Sequence, residues 1–275
     1  MAIINGDSTN NTLTGTASAD TITGLSGNDT INAGAGNDTI TAGPAALTNA
    51  ALDLNWSLQG KNGASLSSGF TQDTGGVNVA VSFTNDGNNS AKYQVDTAST
   101  QYVGAQTFNP NSSLWLNGDG DADTSTTTLN FSAVAGQGFS GSVQNVTFRI
   151  NDFDDGTWRD LLTITAFDAN GQPVIVTLTK ADGTIITTGT ATATGIGNID
   201  SSAASGSLLV TIAGPLTQIK IDYGNALNGN QLINVTDIQF QAIPVDDDLV
   251  NAGDGDDTVF GGAGNDLLNG DGNND

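Results

Sequence analysis

The chain has 275 residues; its 29 acidic side chains are all aspartate, set against six lysines and arginines, for a net charge of −23. That charge argues against nucleic-acid binding and against attraction to anionic membranes. The absence of histidine, cysteine and glutamate removes most nucleophile–base pairs. Residues 6–43 read as a repeat of nine. Its copies include Gly15-Thr-Ala-Ser-Ala-Asp20-Thr-Ile22-Thr, Gly24-Leu-Ser-Gly27-Asn-Asp29-Thr-Ile31-Asn and Ala33-Gly34-Ala-Gly36-Asn-Asp38-Thr-Ile40-Thr. Glycines, which recur at positions one, two and four of the phrase, allow tight turns and φ > 0. Position six offers a carboxylate, and position eight points a large apolar residue inward from a short strand. The first copies are weaker: Asn11 replaces the aspartate and Ser18 the fourth-position glycine. These opening turns are expected to bind cation poorly or to serve as a cap. The next copy starts at Ala42-Gly43 and is broken by Pro44.

The segment 44–243 has the size of an ordinary domain and holds all six basic residues. Runs of alternating and β-branched residues predict strands over 77–83, 92–95, 113–116, 126–131, 146–150, 161–167, 174–178, 208–212, 218–222 and 235–240. No stretch carries a sustained helical period. Many short strands at this spacing predict an antiparallel β-sandwich, with a jelly roll as the expected topology. The pattern is loosely similar to the jelly-roll modules of carbohydrate-binding proteins.

The nine-residue phrase returns in 244–275, as Ala252-Gly253-Asp-Gly255-Asp-Asp257-Thr-Val259-Phe and Gly261-Gly262-Ala-Gly264-Asn-Asp266-Leu-Leu268-Asn. A frame counted from Ile243 puts Asp248, Asp257, Asp266 and Asp275 at position six. The sequence thus divides into repeats over 1–43, a sandwich over 44–243 and repeats over 244–275. If the sandwich's ends lie close together, the two repeat blocks stack as one solenoid; otherwise they form two short rolls.

The fold class read from the sequence is all-β, with a parallel β-roll built from the two ends. Stacked strands lie roughly 4.8 Å apart, which lines up the position-six carboxylates. Two such charges about 5 Å apart repel by roughly 3 kcal/mol at an effective dielectric of 20. The column therefore calls for a cation. Calcium suits it, because it accepts six to eight oxygens in flexible geometry. The candidate ligands are the carboxylates of Asp20, Asp29, Asp38, Asp248, Asp257, Asp266 and Asp275, with the turns at Gly24, Gly27, Gly34, Gly36, Gly253, Gly255, Gly262 and Gly264.

These repeats resemble the RTX, or haemolysin-type calcium-binding, nonapeptide family of Gram-negative bacteria. The resemblance covers about a quarter of the chain and implies calcium held between stacked turns by position-six carboxylates and turn carbonyls. It also implies an extracellular or cell-surface protein exported in one step by a type I system. The chain ends inside a repeat, as expected of the N-terminal piece of a longer protein.

Within the sandwich, Asn151-Asp152-Phe-Asp154-Asp155-Gly156-Thr-Trp158-Arg159-Asp160 is the densest polar cluster. Asp152, Asp154 and Asp160 are candidate ligands of a structural calcium; a solvated turn with a local Arg159 ion pair is the alternative. Asp119-Gly-Asp121-Ala-Asp123 has the opening spacing of an EF-hand but lacks its glycine and its closing glutamate, leaving a looser calcium loop or an acidic turn. Trp158, beside carboxylates, is the candidate glycan contact, ahead of Trp56 and Trp115. The expected function is a non-catalytic calcium-binding module whose sandwich meets an extracellular glycan or a surface partner. A purely structural spacer is the second reading. Third comes a glycoside hydrolase using Asp152 and Asp160.

Overall fold

The computed structural model describes residues 1–85, 92–119, 124–227 and 230–275. Apart from two short 3-10 turns, every regular element among them is a strand, and no helix is long and apolar enough to cross a membrane. The chain forms two compact units. One comprises 1–50, 133–141 and 242–275; the other comprises 51–132 and 142–241. The tip 133–141, which the sequence reading left with the sandwich, belongs to the first unit, where Asn10 N–H donates to the Gly136 carbonyl at 3.0 Å.

The first unit is a β-roll of three-residue strands in two parallel sheets. One sheet runs Ile3–Asn5, Thr21–Thr23, Thr39–Thr41, Thr258–Phe260; the other runs Thr12–Thr14, Thr30–Asn32, Leu249–Asn251, Leu267–Asn269. The strands are short because only the middle residue of each faces inward; the flanking Thr and Asn stay more exposed. Pairing is in register, so Ile4, Ile22, Ile40 and Val259 stack in one column. Leu13, Ile31, Val250 and Leu268 form the other. Ala33, Ala42 and Ala252 complete the narrow core.

The two repeat blocks therefore form one solenoid, and the register shows how they join. Between neighbouring coils of one block the step is 18 residues; across the junction it is 219. The long segment does not fall between repeats. It splits one. Gly43 stacks on the Gly261–Gly262 turn, Asp246 takes the fourth position between Gly27 and Gly264, and Asp248 takes the sixth between Asp29 and Asp266. Ala42 and Gly43 thus supply the first two positions of a repeat whose positions four to nine are Asp246-Asp247-Asp248-Leu249-Val250-Asn251. The frame counted from Ile243 holds from Asp246 onward, whereas Ile243 and Pro244 end the strand Ile238–Pro244 and Ala42 and Gly43 supply the first two positions.

The second unit is a sandwich of two antiparallel sheets. One is ordered Ile185–Ile186, Val176–Lys180, Leu208–Ile212, Phe139–Asn151, Asn230–Thr236, Ser113–Asp119, Lys92–Asp96, with Ile238–Pro244 and Ala50–Leu54 attached beside Phe139–Asn151. The other is ordered Pro173–Val174, Asp160–Phe167, Gln218–Asn225, Thr124–Ala133, Val77–Asn85, Phe70–Asp73, with Thr190–Thr192 also paired to Asp160–Phe167. Strict alternation buries one face of each strand, as in Asp160–Phe167 and Leu208–Ile212. Leu114, Phe148, Ile150, Leu162, Ile221 and Val235 fill the core.

Two predicted strands are broken. The run 235–240 is interrupted at Asp237, whose carboxylate accepts from Trp56 N–H (3.0 Å) and Ser112 Oγ–H (2.5 Å). The run 174–178 is interrupted at Ile175, which is exposed. Ala50–Leu54 and Phe70–Asp73 were not anticipated.

Candidate metal centre

Stacking places position six in two columns: Asp20, Asp38, Asp257, Asp275 on one side and Asn11, Asp29, Asp248, Asp266 on the other. Each Oδ1 is used in the same way. It accepts the backbone N–H one coil earlier: Ala2 to Asp20 at 2.6 Å, Asp20 to Asp38 at 2.7 Å, Asp38 to Asp257 at 2.7 Å and Asp257 to Asp275 at 3.2 Å. In the second column, Asn11 donates to Asp29 at 2.8 Å, Asp29 to Asp248 at 2.7 Å and Asp248 to Asp266 at 3.0 Å. One oxygen of each carboxylate is thus fixed by the roll itself.

The other oxygen separates the turns into two kinds. At the N-terminal end, Thr16 N–H and Oγ–H fill Asp20 Oδ2 at 2.7 and 2.8 Å, and Asn11 exchanges hydrogen bonds with Asp7. These turns are closed by their own side chains and cap the roll. Further along, Oδ2 of Asp29, Asp38, Asp248 and Asp257 is buried with no hydrogen-bond partner, and so is Oδ2 of Asp246. An isolated buried carboxylate oxygen costs several kcal/mol unless something compensates its charge.

The glycines keep space open beside these oxygens. A Cβ on Gly24 would collide with Asp29 Oδ2 and the Ala42 carbonyl oxygen; one on Gly261 would collide with Asp266 Oδ2. At position two, Gly34 (φ 107) and Gly253 (φ 96) adopt the left-handed region against the carbonyls of Thr16 and Gly34. Leu25 holds the same place at φ 76 without that freedom. Gly27, Gly36, Gly255 and Gly264 at position four, and Gly262 at position two, also have positive φ and backbone of the adjacent coil within a Cβ's reach.

Burial is the main cause of the carboxylates' electrostatics. It pushes Asp29 up to about 6, with the Asp248 and Asp7 charges adding to it against the Asn11 hydrogen bond. It likewise pushes Asp246 and Asp248 up to about 6 and raises Asp38. Asp20, held first by the Ala2 N–H, lies below the usual carboxylate range. Among the described residues no three acidic side chains gather as a metal cluster. A metal held here would draw on one or two carboxylates, with turn carbonyls as the other oxygens within reach. That all-oxygen donor set, with unpaired buried anions, fits calcium.

Three features escaped the sequence reading. Position five forms its own ladder: Asn10, Asn28 and Asp247 each accept, through Oδ1, the N–H of the position-five residue one coil later, at 2.8 to 3.0 Å. Position nine stacks Asn32, Asn251 and Asn269 through side-chain amides at 2.8 Å. Asp246 stands at position four, where its neighbours carry glycine, and its stacking on Gly27 and Gly264 is seen only in the structure.

In the sandwich, protein donors fill the predicted metal cluster instead. Asp154 Oδ1 accepts from the Trp158 indole N–H (2.8 Å) and Gln231 (2.5 Å), and its Oδ2 accepts Ile199 N–H (2.8 Å). Asp160 accepts Tyr223 O–H and Asp154 N–H, each at 2.8 Å. Asp155 accepts N–H groups of Gly195, Ile196 and Gly197. Asp152 stands at φ 62 and is pushed up to about 7 by burial, with Asp154 and Asp200 nearby. Asp154 and Asp160 are thus met by protein donors, and among the described residues Asp152, Asp154 and Asp160 do not gather as a three-carboxylate metal group. In the acidic loop after Asp119, residues 120–123 lie outside the described residues. Trp56 is wholly buried, its indole N–H on the Thr236 carbonyl at 2.8 Å. Trp158 is half-buried, with its ring against Gly156. Trp115 is half-buried on the outer face of its sheet, paired across strands with Gln94 and Asn234.

Residues 5–40 and 245–275 match the family model for the RTX calcium-binding nonapeptide repeat, in four copies. Both ends of the chain are therefore RTX calcium-binding repeats. No curated protein matches the chain in sequence. Among solved structures it is similar to the enzymatically active domain of tailspike protein 4 from bacteriophage CBA120, at 10% identity and TM-score 0.29, covering 83% of this chain and 34% of that one. It is also similar to a β-1,2-glucanase from Parabacteroides distasonis, at 9% identity and TM-score 0.28, covering 60% and 23%. A family 11 carbohydrate-binding module from Clostridium thermocellum, in complex with a β-1,3-1,4-mixed-linked tetrasaccharide, gives 8% identity and TM-score 0.28, covering 72% and 98%. The chain spans about a third of the tailspike domain's length. Likenesses at these scores carry no argument about the sandwich's ligand.

Proposed function

We propose that the chain is a calcium-folded, non-catalytic module of a secreted or cell-surface bacterial protein. The supporting observation is the row of buried Oδ2 atoms on Asp29, Asp38, Asp248 and Asp257, each without a partner while its Oδ1 is anchored. A divalent cation would neutralise these anions, so binding and folding of the roll are coupled. Extracellular calcium suffices for sites of this class, whereas cytosolic calcium leaves weak sites empty. A test is a titration of the full chain from chelator into calcium, followed by far-UV circular dichroism. Strand signal should rise saturably with calcium but not with magnesium. A spectrum indifferent to both ions would end the proposal.

For the sandwich we propose glycan contact, carried by Trp115. It lines a cleft of about 210 Å3 together with Asn62, Gln94, Asp96 and Ser99. A half-exposed indole beside short polar side chains suits a sugar ring, which offers C–H faces and hydroxyls together. Trp158 is less suited, because its indole N–H is committed to Asp154. Affinity electrophoresis against soluble polysaccharides in calcium tests this. Retardation should be lost in Trp115→Ala and kept in Trp158→Ala; a parent chain retarded by none would leave a structural spacer. A glycosidase built on Asp152 and Asp160 is disfavoured, since Asp160 is fully buried and held by Tyr223 and Asp154.

A further inference from the structure

The split repeat differs from its neighbours in one residue. Position four is glycine at Gly27, Gly36, Gly255 and Gly264, but aspartate at Asp246. This side chain is fully buried. Its Oδ1 accepts Gly27 N–H at 2.7 Å, so the carboxylate is anchored like the position-six groups. Its Oδ2 has no partner. That atom lies against Gly43, where an added Cβ would meet both Asp246 Oδ2 and the Gly261 carbonyl oxygen. Gly43 is the last repeat residue before the insertion and Asp246 the first after it. The carboxylate therefore closes the place where the chain departs and returns.

A solvated surface acid would need no explanation. A buried, anchored carboxylate with one bare oxygen does, because a structural role would have filled that oxygen with a donor. The geometry points to Asp246 as an additional cation ligand, giving the split repeat two carboxylates, Asp246 and Asp248, with the Gly261 carbonyl beside the first. The ligand class is a hard divalent cation with an all-oxygen shell, calcium rather than magnesium. The consequence is specific. The repeat that accommodates a large insertion gains extra charge, and so an extra requirement for metal, at the point where its covalent continuity is interrupted. This inference rests on the calcium reading of the roll.

The test compares the full chain with Asp246→Asn and Asp246→Gly. Asparagine keeps an acceptor for Gly27 N–H but removes the negative charge. Glycine restores the residue found at the other position-four sites and is compatible with the turn. Bound calcium is counted by atomic emission after gel filtration, and affinities are read by titration calorimetry. Both variants should retain the calcium-saturated dichroism spectrum yet bind one ion fewer per chain, or bind one ion at least tenfold more weakly. Asp38→Asn serves as the reference for loss of a position-six ligand. If the parent binds calcium and both Asp246 variants match it in number and affinity, Asp246 is structural and the inference falls. If the parent binds no calcium, the reading of the whole roll falls with it.

Discussion

The roll and the sandwich both bury aspartate, and they treat it in opposite ways. In the sandwich, Asp154, Asp160 and Asp237 each receive donors from side chains or backbone. In the roll, the only carboxylate oxygens that are buried without a partner among the described residues belong to Asp29, Asp38, Asp246, Asp248 and Asp257. In the sandwich, the carboxylates of Asp154, Asp160 and Asp237 are met by the polypeptide itself. The roll leaves buried carboxylate oxygens bare, and no Lys or Arg lies in it. The difference teaches that one kind of residue marks finished structure in one unit and a metal requirement in the other, decided by where the second oxygen points.

Chelation should separate the two most strongly. Each saturated site stabilises by about 2.7 kcal/mol at a hundredfold excess over its Kd, and several sites act together. Calorimetry in chelator should therefore lose or greatly lower the roll transition and retain the sandwich's; a single unchanged transition would break the comparison. Phe148→Ala, in the sandwich core, should cost about 3–5 kcal/mol and lower the sandwich transition while calcium stoichiometry stays as in the parent. Within the roll, Asp38→Asn should remove one ion, whereas Asp20→Asn, at a cap already closed by Thr16, should leave the stoichiometry unchanged. Equal losses in both would erase the distinction between caps and centres.

A subtler contrast is with pH. Asp160 is pushed up to about 8, first by burial. A carboxyl whose folded pKa is raised holds its proton in the folded state, so its contribution is full below the unfolded value near 3.9. It is lost as pH rises through about 8. In saturating calcium, the sandwich melting temperature should fall between pH 5 and about 8.5. Asp160→Asn should flatten that slope, since the amide supplies an acceptor to Asp154 N–H and a donor to Tyr223. The smallest expected effect is Leu25→Gly. Relief of the φ 76 strain is partly offset by glycine's unfolded entropy, leaving a gain of about 0.5–1 kcal/mol in the roll, readable as a rise in its melting temperature.

The roll was legible because its chemistry is periodic. Position six and position eight recur every nine residues, and that spacing encodes both the carboxylate columns and the in-register stacks at Ile31 and Ile40. The split repeat was not legible, because continuity between Gly43 and Asp246 exists only in three dimensions. Counting by nines from Ile243 does place Asp246 at position four, but says nothing of its stacking between Gly27 and Gly264. In the sandwich, alternation located most strands but not their ends. Asp237 breaks a run of strand-forming residues for the sake of a hydrogen bond to Trp56, a partner 181 residues away. Nor does spacing reveal whether a carboxylate cluster will be met by ions or by N–H groups. Asp154 and Asp160, read as candidate ligands, are met by Tyr223, Ile199 and Gln231.

The most direct measurement is anomalous scattering from crystals of the full chain grown in calcium. Peaks are expected in both position-six columns, within coordination distance of Oδ2 of Asp29, Asp38, Asp248 and Asp257, and none at Asp154 or Asp160. An ordered roll with those oxygens facing no ion would contradict the account.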